Sequence, residues 1–181
     1  AIALVRKLTH ISVFSRDKAK RDAFASSIQD EIGVPTSGAA SAEACLDGAD
    51  IVVTATNATA PVVDGAWLKP GMHVNGIGAN ALDRIELDDA SVLRADLVVT
   101  DQIEQAKIEA AALVRLAAIG KLDWANVVEL GAIVEGKTPG RSAPGQITLF
   151  HSLGIAFEDV AFGAMIYERA VKAGLGTQVA N

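Results

Sequence analysis

Short apolar runs alternate along the chain with stretches whose apolar positions recur every three or four residues, a pattern that predicts strands and helices in turn. The β-branched and aromatic run over residues 11–14 predicts a strand, and residues 17–31 set Ala19, Ala23, Phe24 and Ile28 among charges, predicting a helix. Residues 41–48 read as a helix closed by glycine. The nearly continuous apolar Asp50-Ile51-Val52-Val53-Thr54 predicts a strand covered on both faces, central and parallel. Two more strands are expected at His73-Val74-Asn75-Gly76-Ile77, after a Lys69-Pro70-Gly71 turn, and at Asp96-Leu97-Val98-Val99-Thr100, after a short helical Ser91-Val92-Leu93 stretch. Residues 102–119 have helical spacing that stops at Gly120, and Pro139-Gly140 and Pro144-Gly145 mark an irregular loop. A strand over Ile147-Thr148-Leu149-Phe150 and a long helix over residues 155–173 complete the pattern, and the first nine residues read as the end of an amphipathic helix.

Strands and helices alternating at these lengths predict an α/β fold, a doubly wound parallel sheet of Rossmann type with right-handed crossovers. Residues 1–150 are expected to form that domain and residues 151–181 a C-terminal segment leaving it. With 181 residues, 50% hydrophobic and 21% charged, the chain has material for one substantial core. Sixteen Lys plus Arg against 22 Asp plus Glu give a net charge of -6, with no basic cluster interleaved with aromatics, so a nucleic-acid surface is not expected. The expected partners are small molecules and other subunits. Cys45 stands alone, which rules out an internal disulfide and fits a reducing, cytoplasmic setting. No run approaches the ~18 consecutive apolar residues of a membrane span. His10, His73 and His151 lack metal-ligand spacing, so no metal is expected; His73 reads as structural, whereas a proton-transfer role is open to His151.

In a parallel sheet the carboxyl ends of the strands open on one edge, so Ser15-Arg16, Thr54-Ala55-Thr56 and Gly76-Ile77-Gly78 should converge on one crevice, where such folds hold a dinucleotide. An NAD site usually places a carboxylate after the strand on the adenosine side, to accept from the ribose 2′-hydroxyl, whereas an arginine fork matches a 2′-phosphate. Here Ser15-Arg16 follows the strand, Lys20 adds a second cation one turn on, and Asp17 is placed to cap the helix, so NADP is preferred and NAD remains possible. Gly76-Ile77-Gly78 lacks a third glycine opening a helix and reads as a nicotinamide-side turn rather than a phosphate loop.

Taken together, Val13-Phe14-Ser15-Arg16, Gly48-Ala49-Asp50-Ile51-Val52-Val53-Thr54-Ala55-Thr56, Trp67-Leu68-Lys69-Pro70-Gly71, Glu129-Leu130-Gly131, Pro139-Gly140-Arg141 and Thr148-Leu149-Phe150-His151-Ser152-Leu153-Gly154 resemble the ornithine cyclodeaminase/mu-crystallin family. The resemblance implies an NAD(P)-dependent oxidoreductase acting on C–N bonds of small imino or amino acids, as a cyclic ketimine reductase or an alanine-type dehydrogenase. It implies Ser15, Arg16, Asp17 and Lys20 around the adenosine phosphate, and Ala55, Thr56, Asn57, Ile77, Ser152 and Leu153 at the rest of the cofactor. It further implies that a first strand with its glycine loop, and a substrate domain carrying a Lys and an Arg, belong upstream of Ala1, with a homodimer or higher oligomer formed through that domain. The C-terminal helix would return to it.

Where the cyclodeaminases carry a proton-transferring Asp, this sequence has Asn80. An amide cannot exchange a proton near neutral pH, which favours imine reduction or amino-acid dehydrogenation over a deaminating cyclisation. Asp83 is a nearby carboxylate that reads as a surface loop residue. The alternatives are the ornithine cyclodeaminase-type cyclase itself and a non-catalytic NADP-dependent ligand-binding protein resembling mu-crystallin.

Overall fold

The computed structural model describes residues 1–177 and 179. Its chain order begins with α1 (Ile2–Val5), β1 (Ile11–Val13), α2 (Lys18–Ile32), β2 (Thr36–Gly38), α3 (Ala42–Leu46) and β3 (Ile51–Thr54). It continues through β4 (His73–Gly76), α4 (Asp89–Leu93), β5 (Leu97–Thr100), α5 (Ile103–Glu109) and α6 (Ala111–Ala118). The last elements are β6 (Val127–Glu129), α7 (Leu130–Val134), β7 (Thr148–His151) and α8 (Ala156–Lys172). All strands pair in parallel, β1 with β2 in one sheet and the order β3-β4-β7-β5-β6 in the other. Among the described residues no helix is long and apolar enough to cross a membrane.

The five-stranded sheet carries the core. Val52, Val74, Leu149, Val98 and Val127, one from each strand, share a buried cluster with Leu113 and Leu116 of α6 and with Leu68 and Leu87. Each such side chain contributes about 1.5–3 kcal/mol by leaving water. Polar ties fix the layers: Arg94 donates to the carbonyls of Gly65 and Leu68 at 2.8 and 2.7 Å, and Arg115 of α6 pairs with Asp89 of α4. Glu129, at the end of β6, accepts from the Ile103 amide at 2.9 Å and so caps the start of α5.

At the amino edge of the sheet the Arg141 guanidinium donates to the carbonyls of Gly71, Gln146 and Met72 at 2.8, 2.6 and 3.1 Å and to the Thr148 hydroxyl at 3.0 Å. The same hydroxyl meets His73 Nδ1 at 2.7 Å, while His73 Nε2 lies 3.2 Å from Asn75 Oδ1. Arg141 and His73 are therefore structural groups at the edge opposite the strand-end turns.

Several elements differ from the sequence expectation. The strand β3 lies at the edge of its sheet rather than in the centre, and Val53 is 46% exposed. The helix expected over residues 102–119 breaks at Ala110, whose backbone at φ -80 and ψ 82 leaves the helical region while its side chain is fully buried. Tertiary packing there overrides a local preference that no glycine or proline interrupts. The strands β2 and β6 carry little periodic signal, since each is three residues long and β2 (Thr36-Ser37-Gly38) has no apolar residue. Only Ile2–Val5 of the first nine residues is helical.

Candidate functional site

Register brings the strand ends together. Thr54 aligns with Gly76, Gly76 with His151 and His151 with Thr100, so these four residues form a row across the carboxyl edge. The pairing runs one residue further, since the Ile77 amide donates to Thr54 O and the Ser152 amide to Gly76 O, both at 2.9 Å. Ala55, Ile77 and Ser152 consequently leave the sheet side by side.

Two carboxylates hold the turns beyond these strand ends. Glu86, buried to 2% exposure, accepts from the Thr54 hydroxyl at 2.9 Å, the Thr56 amide at 2.5 Å and the Gly78 amide at 2.8 Å. Asp101, the first residue after β5, accepts from the Ser152 hydroxyl at 3.0 Å and from the amides of Leu153 and Gly154 at 2.5 and 2.8 Å. Charge-assisted bonds to backbone amides are the strong kind, and each carboxylate fixes the path of a turn. Sequence reasoning missed both residues. Asp101 was accessible to the strand-end rule applied to β5, whereas Glu86 lies in a loop whose only signal is an acidic residue between the apolar Ile85 and Leu87.

Gly78 is required by this close approach: a Cβ there would lie 2.2 Å from Thr56 O and 2.4 Å from Thr56 N. At Gly76 a Cβ would press on Leu87 Cδ1 at 3.3 Å and His151 Nδ1 at 3.4 Å. With the amides of Ile77 and Gly78 already bonded inside the protein, this turn has none to offer a phosphate.

Along the rim, Ala55, Thr56, Asn57 and Asn80 are exposed and Ile77 is 47% exposed. Ser152 is half-buried and Leu153 buried, while Asp83 is an exposed loop residue. Ser15, Arg16, Asp17 and Lys20 follow β1 in the other sheet, and all are exposed. Asp17 caps α2 by accepting from the Lys20 amide at 3.0 Å, with the Lys20 ammonium 3.9 Å from its other oxygen. The Arg16 side chain has no hydrogen-bond or ion-pair partner among the described residues, which leaves its donors directed at solvent. Small side chains at the strand ends, a glycine-permitted approach of two turns and cations after β1 fit a dinucleotide.

His151 is buried, and its Nε2 has no partner among the described residues. Burial pushes its pKa down, against the pull of Glu86 and Asp101, which favour the protonated form. Burial likewise lowers that of His73, where the Asn75 contact opposes the shift and the positive charges of Arg141 and Arg6 reinforce it.

Comparison with known proteins places this geometry. The model of the ornithine cyclodeaminase/mu-crystallin family matches residues 1–174. A Delta(1)-pyrroline-2-carboxylate reductase of Bacillus cereus is 33% identical over 180 residues, 99% of this chain and 55% of that protein. The ketimine reductase mu-crystallin of Rattus norvegicus is 34% identical over 159 residues, 87% of this chain and 46% of that protein. Among solved structures, the Delta(1)-pyrroline-2-carboxylate reductase of Thermococcus litoralis, in complex with NADH and L-proline, superposes with a TM-score of 0.93 at 32% identity, covering 98% of this chain and 55% of that one. The chain thus spans about half the length of the curated relatives it matches. With the family match running nearly end to end and the strand-end turns in place, the chain belongs to the ornithine cyclodeaminase/mu-crystallin family.

Proposed function

We propose that the protein reduces the C=N bond of small imino acids, cyclic ketimines foremost, with NADPH preferred over NADH. The observation that carries this reading is the register of Thr54, Gly76 and His151, which sets three strand-end turns along one edge as a dinucleotide crevice requires. When bound, the nicotinamide supplies the hydride for the imine carbon. The chain's own residues hold and orient it: Arg16 and Lys20 face the 2′-phosphate with Ser15 beside them, Ala55, Thr56 and Asn57 line the middle, and Ile77, Ser152 and Leu153 flank the nicotinamide half. Asp17 caps α2 and leaves Arg16 to the phosphate. The names of the Bacillus and Thermococcus relatives support a five-membered cyclic imine as substrate. Asn80, an exposed amide in the turn after β4, speaks against the deaminating cyclisation because it cannot shuttle a proton.

The rest of the site is proposed to come from the longer protein. Each of β1 and β3 is hydrogen-bonded along one edge only, and Val53 is half uncovered, which suits a strand with a glycine loop inserted between them. In α8 no residue is buried, and Phe157, Phe162, Ile166 and Tyr167 are 73, 59, 50 and 71% exposed, which suits a helix docking on the substrate and dimerisation domain. The test is the full-length protein with NADPH and a panel of cyclic ketimines, together with pyruvate plus ammonia or methylamine. Consumption of NADPH with one or more cyclic ketimines is expected; none across the panel would refute the reductase reading.

A further inference from the structure

Among the described residues Glu86 is the only buried carboxyl group, and burying one is costly unless its oxygens are well bonded. All three side-chain bonds of Glu86 go to residues flanking the crevice: the hydroxyl of Thr54 and the amides of Thr56 and Gly78, from turns after two different strands. A fold that merely had to satisfy two exposed amides has water for the purpose. One rigid carboxylate bridging both turns instead fixes the spacing between them. The loop that delivers Glu86 is itself anchored, since its carbonyl accepts from the amides of Val62 and Val63 at 2.8 and 3.1 Å. Beneath these turns lies the buried His151 ring, packed over Gly76 with its Nε2 unpartnered among the described residues.

We propose that Glu86 is a positioning residue for the dinucleotide: it holds the Thr56 and Gly78 turns at the separation the nicotinamide half needs, and His151 is the group through which acid disturbs that separation. The proposal rests on the dinucleotide reading above. The charges facing His151 are Glu86, from the loop before α4, and Asp101, from the turn after β5. At neutral pH the imidazole is uncharged and Glu86 is free to serve the two amides. Protonation of the ring sets a positive charge facing Glu86 and Asp101, and that charge draws on the carboxylate that holds the two amides. Dinucleotide binding should therefore weaken on the acid side. Replacing Glu86 by an uncharged residue removes one of two groups that favour the imidazolium, so the His151 titration moves to lower pH.

The experiment titrates the full-length protein with NADPH and with NADH, reading nucleotide fluorescence from pH 5.5 to 8, for the wild type, E86Q and T54V. A Gln amide offers one acceptor oxygen where the carboxylate offers two, so E86Q is expected to raise the dissociation constant about tenfold and to shift the acid limb downward. T54V keeps both amide bonds and should cost less than about threefold. Independently of any variant, hydrogen exchange on the nucleotide-free wild type should show the Thr56 and Gly78 amides protected although they lie in turns. Should E86Q not fold, E86D keeps the charge but shortens the reach and should weaken binding with the acid limb unmoved. Affinity within twofold of wild type for E86Q with an unchanged pH profile, or loop-like exchange at both amides, overturns the proposal. Wild type that binds neither nucleotide refutes the dinucleotide reading as well, whereas firm wild-type binding indifferent to E86Q refutes only the role of Glu86.

Discussion

The unit of β1, α2 and β2 and the five-stranded unit share parallel strand–helix–strand connectivity, but only the second has built a core from its own residues. In α2 the one buried side chain is Ala25, and Phe24 is 55% exposed. Polar ties also hold the helix, such as the Arg21 guanidinium donating to Ala39 O at 2.6 Å. In the five-stranded unit, Leu113 and Leu116 are fully buried and Leu149 is 1% exposed. The proposed adenosine-side residues stand on the lightly packed unit, and the proposed nicotinamide-side turns on the packed one. On the proposed reading, groups at the first end would act as individual charges, whereas those at the second would act through turns locked to a rigid sheet.

Substitutions in the two units should separate most widely in stability. Leu149→Ala is expected to cost ~2–5 kcal/mol, seen as an earlier denaturation midpoint, while Phe24→Ala stays within ~0.5 kcal/mol. Equal losses would show that α2 is packed in the full-length protein and end the contrast. Next in size, Arg16→Ala should raise the NADPH dissociation constant about tenfold by removing a charge-assisted partner of the 2′-phosphate. NADH binding should barely change, and a parallel loss for both nucleotides would remove Arg16 from the phosphate. Lys20→Ala, an exposed cation shared with Asp17, should weaken NADPH by only about two- to threefold.

The packed unit is also where acid sensitivity is expected, since it holds both half-buried or buried histidines. His73 and His151 both have pKa values pushed below the ordinary 6.5, chiefly by burial. The unfolded chain takes up these protons first as pH falls, so the stabilisation is complete above about pH 6.5 and is lost on the way down towards the folded pKa. Melting temperatures recorded from pH 8 to 5 should fall on the acid side, with a shallower fall in His73→Asn. A flat profile would mean that neither ring is buried uncharged.

The parallel alternation was legible because β3, β5 and β7 are largely apolar runs next to glycine, proline or helical stretches, and β4 follows the Lys69-Pro70-Gly71 turn. The convergence of Thr54 to Thr56 with Gly76 to Gly78 followed from that topology, whereas Ser15-Arg16 follows a strand of the other sheet. What the sequence hid was hidden for physical reasons. The strand β2 has no apolar residue because its three positions are half-buried at most. The break at Ala110 arises from packing at a residue that prefers helix. Glu86 and Asp101 are ordinary acidic residues in sequence, and only their distances to backbone amides from other strands reveal what they do. Arg141, quoted for family likeness, belongs to the amino edge and ties loops there.

Hydride transfer to an imine carbon is tested most directly by following the hydride itself. Full-length protein is incubated with NADPH carrying deuterium at C4, on each face in turn, and Delta(1)-pyrroline-2-carboxylate, and the product is read by mass spectrometry. Proline carrying one deuterium at its α-carbon is expected from one of the two labelled faces. Firm NADPH binding with no labelled product from this or any other cyclic ketimine would contradict hydride transfer.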